Sequence, residues 1–110
     1  MLLLDEPTTY LDLCHQLELL ELLKHLNQQQ GLTIITVLHD INLAARYSDR
    51  LMLLKEGRLY ATGTPTKALT PQTLADVFRI DATVMQTPIG LQIFPLAPIH
   101  HHSRDGPILR

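Results

Sequence analysis

The stretch "LLLDEPTTYLD", residues 2–12, decides how the rest of the chain is read. Leu2-Leu3-Leu4 is a short continuous apolar run, the pattern of a strand buried on both faces. It ends at once in two adjacent carboxylates, Asp5 and Glu6. From Asp12 to about Gln30 apolar residues recur at helical spacing. Leu19, Leu22, Leu23 and Leu26 fall at i, i+3, i+4 and i+7, and Leu13, Leu17 and Leu20 widen the stripe. Asp12 is placed to cap the start of this helix and Gly31 to end it. "LTIITVL", residues 32–38, is rich in β-branched residues and reads as a second buried strand. Residues 40–47 read as a helix that begins near Asp40. Strand, helix, strand, helix is the order of an α/β fold, a mostly parallel sheet covered by helices. Strands of that kind are central ones, and two or three of them alone leave long open edges. The expectation is therefore a chain that starts in the middle of a fold.

Farther along, the elements become smaller. Residues 50–54 and 58–62 flank "KEG" and form a hairpin whose turn uses Gly57. Thr70 is the natural N-cap, and Pro71 the first turn, of a helix reaching about Phe78. Residues 82–86 and 91–94 form a last hairpin around Pro88-Ile89-Gly90. Residues 1–95 thus read as one portion of a domain. After Pro95 the composition shifts to Pro, His and Arg, and 96–110 is expected to be a disordered tail.

Composition narrows the classes. An apolar content of 45% in 110 residues suffices for a core. The 9 basic and 11 acidic residues give a net charge of -2 without a basic block, which argues against a nucleic-acid partner. Cys14 is the only cysteine, so no internal disulfide forms, and a reducing compartment fits. It reads as a small buried apolar residue. The apolar start meets Asp5-Glu6 without a basic segment before it, unlike a signal peptide, and no apolar run approaches the roughly 20 residues that span a bilayer.

The carboxylates carry the chemistry. Ligands of open α/β sheets bind beyond the carboxyl ends of the strands, where Asp5 and Glu6 sit. A carboxylate there can hold Mg²⁺ and the phosphates that accompany it, and its neighbour can polarise a water for attack on a γ-phosphate. The plainer reading is a solvated loop start. His39 follows the second strand. If the strands are neighbours, it reaches the edge where Glu6 lies and can bond the phosphate or orient the water. Its plainer reading is an exposed histidine ahead of a helix.

"LLLDEPTTYLD" followed by "TVLHDINLAARYSDRLMLLKEGRLYATGTP", residues 36–65, resembles the C-terminal half of the ATP-binding subunit of ABC transporters. The resemblance runs through about the first 95 residues, in the family's order. It implies an α/β P-loop NTPase domain followed by small β-hairpins. It makes Asp5 the Walker B aspartate acting on Mg²⁺ and Glu6 the catalytic base, and it makes His39 the switch histidine at the ATP γ-phosphate. Leu11 and Asp12 match the D-loop, where Asp12 contacts a second ATP-binding subunit in a head-to-tail dimer. Residues 8–23 and "GTPTKALTPQTLADVFRID", residues 63–81, are most similar to importers of iron chelates, with haem and cobalamin importers near. The implied partners are a transmembrane permease and, indirectly, a substrate-binding protein. The implied location is the cytoplasmic face of the plasma membrane.

The sequence also departs from that family. It contains no G-x-x-x-x-G-K-[ST] loop, glutamine loop or LSGGQ signature, and its five glycines, Gly31, Gly57, Gly63, Gly90 and Gly106, are isolated. The phosphate loop supplies most of the groups that hold nucleotide. The expectation is thus a truncated chain, with Met1 internal or a false start, that is inactive by itself. The competing reading is a non-catalytic module that binds a partner subunit. Tyr10 marks the D-loop or packs on a helix. His15 and His25 read as solvated, and His100-His101-His102 as a tail run too adjacent to build a fixed metal site.

Overall fold

Asp5, Glu6 and His39 are placed by the first of two compact units into which a computed structural model, describing residues 1–99, divides the chain. That unit is Met1–Tyr47, and the second begins at Ser48. In the first, β1 (Leu2–Asp5), α1 (Leu13–Gln30), β2 (Ile34–Val37) and α2 (Ile41–Tyr47) follow one another. β1 and β2 pair in parallel from Leu2↔Ile34 to Asp5↔Val37. The Asp12 side chain accepts the His15 N–H and starts α1, and Gly31 ends it in the left-handed conformation at φ 64°, which glycine adopts without a Cβ clash. Asn27 Nδ2 donates to the Leu32 carbonyl at 2.8 Å and closes the turn into β2.

Burial in this unit departs from expectation. Each strand alternates half-buried and exposed residues, as in a sheet covered on one face. Leu3 is 68% exposed, and Ile35 and Val37 are each 47% exposed, so the reading of strands buried on both faces does not hold here. On α1 the buried residues are Leu20 and Leu23, whereas Leu13 and Leu22 are exposed. Leu22 lies about 200° around the helix from Leu20, outside the buried arc. Cys14, read as buried, is exposed.

The second unit is built from local hairpins. β3 (Leu51–Lys55) and β4 (Arg58–Gly63) are antiparallel. Glu56 and Gly57, at φ 52° and 76°, form the two-residue turn of positive φ that matches strand twist. Two short helices follow, α3 (Pro65–Ala68) and α4 (Pro71–Thr73). The Thr70 side chain accepts the Thr73 N–H, and α4 continues into a π-helical turn, Leu74–Phe78, ending at left-handed Arg79. β5 (Ile80–Thr87) and β6 (Gly90–Pro98) close the unit as an antiparallel pair with a register shift between Asp81 and Ala82. The core holds Leu51, Leu53, Leu69, Leu74, Leu91 and Ile93.

α3 has no counterpart in the sequence reading. β6 runs to Pro98, taking in the first three residues of the expected tail; residues 100–110, including His100-His101-His102, lie outside the described residues. The described residues form three two-stranded sheets, one parallel and two antiparallel. The architecture is α/β, with the expected mostly parallel sheet represented by a single pair. No helix among the described residues is long and apolar enough to cross a membrane.

Candidate functional site at the carboxyl edge of the parallel pair

The parallel ladder continues one residue beyond β1, because the Glu6 N–H donates to the Val37 carbonyl at 2.9 Å. The backbone of Glu6 is therefore tied to the end of β2. The chain then turns sharply. Glu6 sits at φ 49°, a left-handed conformation that costs a non-glycine residue about 1 kcal/mol. The Thr9 N–H closes this turn on the Glu6 carbonyl at 3.3 Å.

His39 arrives from the other strand, two residues past Val37. The next residue, Asp40, caps α2 by accepting the Asn42 and Leu43 N–H groups at 2.9 and 3.1 Å. Parallel neighbours place their carboxyl ends on one edge, and there His39 Nε2 meets Glu6 Oε1. The other oxygen, Glu6 Oε2, accepts from Thr9 Oγ1 at 3.3 Å. The His39 side chain is 78% exposed and that of Glu6 34% exposed, so the pair is accessible to a ligand. Glu6 and His39 share an open depression of about 320 Å³ with Thr8, Gln16 and Leu43. A second depression of about 300 Å³ lies among Asp5, Glu6, Thr9 and Tyr10.

Asp5 is exposed at the end of β1. Among the described residues no cluster of three or more His, Cys, Asp and Glu side chains could hold a metal ion. Mg²⁺ needs no such cluster, since one or two carboxylates with water and phosphate oxygens complete its shell. Asp5 fits that demand as the protein's share. Leu11 and Asp12 lie beyond this edge, at the entry to α1. Leu11 is half-buried, with its N–H on the Thr8 carbonyl at 3.1 Å. Asp12 Oδ1 accepts the His15 N–H at 2.9 Å and lies 2.8 Å from His15 Nδ1, while its side chain stays 67% exposed. Tyr10 is 98% exposed and packs on no helix.

Two contributors escaped the sequence reading. Thr9 bonds the carboxylate of Glu6. Gln16 Nε2 donates to the Thr8 and Leu11 carbonyls at 3.3 and 3.0 Å. The only sequence signal for Gln16 is its place four residues after the capping Asp12, because a side chain early in a helix leans back over the loop that precedes it.

No family model matches the chain. It is 53% identical over 88 residues to the iron(3+)-hydroxamate import ATP-binding protein FhuC of Bacillus subtilis, covering 80% of this chain and 33% of that protein. It is 54% identical over 86 residues to the petrobactin import ATP-binding protein FpuC of Bacillus anthracis, covering 78% and 32%. The ferric enterobactin transport ATP-binding protein FepC of Escherichia coli is 42% identical over 90 residues, covering 82% and 33%. The chain thus spans about a third of the length of the curated relatives it matches. A solved ABC transporter assigned to the metal-chelate type, in an inward-facing conformation, superposes with a TM-score of 0.72 at 28% identity, over 92% of this chain and 41% of that one. CbiO1 of Clostridium perfringens, part of the ABC transporter complex CbiONQ, gives 0.57 at 34% identity, over 67% and 30%.

Proposed function

We propose that this chain, which resembles a segment of the ATP-binding subunits of ABC transporters in the iron-chelate import branch, carries the hydrolytic edge of an ATP site. The whole protein couples ATP hydrolysis to uptake of iron chelates. The observation that supports this most is the Glu6–His39 contact at the common carboxyl edge of β1 and β2. Those two residues came from separate stretches of sequence as base and phosphate-directed imidazole.

With ATP as substrate, Glu6 takes a proton from the attacking water as the water oxygen bonds to the γ-phosphorus. The bond to the bridging oxygen breaks, and its electron pair leaves with ADP. His39 turns its Nε2 from Glu6 to the γ-phosphate and holds the departing group in line. Asp5 would hold Mg²⁺, which would neutralise phosphate charge. The groups that cradle the triphosphate come from outside this sequence. In the whole domain β1 and β2 join further parallel strands, whose neighbours cover the exposed Leu3, Ile35 and Val37. Leu11 and Asp12 face a second ATP-binding subunit, and the subunit docks on a permease at the cytoplasmic face of the plasma membrane, with a substrate-binding protein delivering the chelate. No observation favours a non-catalytic module.

The test is a chimera in which this chain replaces the matching third of the Bacillus subtilis hydroxamate import protein. The chimera is expected to hydrolyse ATP, and Glu6→Gln to lower kcat by at least roughly 100-fold while ATP still binds. Turnover unchanged by Glu6→Gln would remove Glu6 from the base role. Calorimetric titration of MgATP into the 110-residue chain alone is expected to give no saturable heat; saturable binding would mean that these residues contain their own phosphate cradle.

A further inference from the structure

The loop of residues 7–12 joins the base to the edge that faces a partner subunit, and its backbone is held by few bonds. Within it the Thr9 N–H reaches the Glu6 carbonyl at 3.3 Å and the Leu11 N–H the Thr8 carbonyl at 3.1 Å. Two further carbonyl contacts come from one side chain. Gln16 sits four residues past Asp12, where its backbone N–H makes the first bond of α1 to the Asp12 carbonyl at 2.9 Å. Its Nε2 reaches back to the carbonyls of both Leu11 and Thr8, at 3.0 and 3.3 Å. Thr8 is 9% exposed, the buried anchor of the loop. Thr9, next along the chain, bonds Glu6 Oε2. The same Gln16 side chain lines the depression that Glu6 and His39 share.

We infer that Gln16 is a positioning residue for hydrolysis, a two-carbonyl brace on the loop between base and partner-facing residues that keeps Thr9 against Glu6. The inference rests on the proposed role of Glu6. Glu6 occupies a left-handed backbone conformation, so its carboxylate direction depends on what holds the turn after it. A glutamine amide supplies two donors and can bond both carbonyls at once. Loss of the brace frees the Thr8 to Leu11 segment without altering the apolar core of the unit, since Leu20, Leu23 and Ala45 lie elsewhere.

The chimera described above is the assay, with Gln16→Met and Gln16→Lys. Both replacements suit a helix and approximate the length of glutamine, but only lysine retains donors. Gln16→Met is expected to lower kcat about tenfold with the KM for ATP within about twofold of the parent, and Gln16→Lys to recover most of the loss. Hydrogen exchange of the 110-residue chain supplies a readout independent of ATP. In Gln16→Met the Thr9 and Leu11 amides exchange at least about fivefold faster while those of α1 beyond residue 20 keep their rates. An active chimera whose kcat is untouched by Gln16→Met, or a lysine variant as impaired as the methionine one, overturns the positioning role alone. A parent chimera that hydrolyses no faster than its Glu6→Gln version overturns the proposed function, and the positioning role with it.

Discussion

The first unit carries the proposed hydrolytic residues on little core, and the second carries a core with no catalytic group assigned to it. In Met1–Tyr47 the buried side chains are Leu20, Leu23, Ala45 and Thr8, and one face of the parallel pair is open at Leu3, Ile35 and Val37. From Ser48 onward Leu69, Leu74 and Ile93 are fully buried, in a unit made of two hairpins and two short helices. The difference follows from how each sheet type is stabilised. An antiparallel hairpin pairs with its own sequence neighbour and buries one face against a short helix. A parallel pair is joined by a crossover helix and is built for layers on both sides. Asp5, Glu6 and His39 sit at the carboxyl ends of these strands, with Asp5 and His39 exposed.

Core substitutions should separate the two most widely. Leu74→Ala is expected to destabilise the second unit by about 3 kcal/mol, and Leu23→Ala the first by about 2 kcal/mol, because Leu23 backs onto a less enclosed site. Chemical denaturation followed by residue-resolved hydrogen exchange checks both. Equal losses spread over all amides would mean that the units unfold as one, and the contrast would fail. A smaller effect belongs to the start of α1: Asp12→Ala removes the acceptor of the His15 N–H and costs about 1 kcal/mol, visible as faster exchange confined to the first turns of α1. Loss of protection along the whole helix would assign Asp12 a wider role.

The smallest effect is a titration in the second unit. A hydrogen bond to Asp76 raises the Tyr60 phenol above its ordinary value of 10.0, with desolvation adding to the shift. The folded group is held in its neutral form. The contribution is therefore present below the ordinary tyrosine pKa and is lost as pH rises through the raised folded value. Absorbance at alkaline pH should show the Tyr60 step move to lower pH in Asp76→Asn, where the bond is weakened. An unaltered Tyr60 step in the Asp76→Asn variant would remove the bond as the cause.

Local signals were legible in the chain. Asp12 and Thr70 as caps, Gly31 as a helix stop and Gly57 in a hairpin turn each act over three or four residues, so sequence neighbours suffice to specify them. α3 was not legible, because four residues carry no periodicity and its end is held by the buried Ala68 and Leu69. Nor was the extension of β6 past Pro95. Proline lacks a donor, and an edge strand or a bulge tolerates it. Here the register passes from Ala82↔Pro95 to Asp81↔Ala97, leaving Leu96 as the extra residue.

By itself the sequence indicated the order of the elements other than α3, the caps and turns named above, and the residue types proposed for hydrolysis, Asp5, Glu6 and His39. Tertiary structure alone decided that Glu6 and His39 touch, that one face of each parallel strand stays open, and that Gln16 holds the loop after Glu6. The physical reason is range. Caps and turns are settled by backbone bonds between near neighbours. The meeting of Glu6 with His39 needs residues far apart in the chain to pair in one register, and that depends on the whole unit.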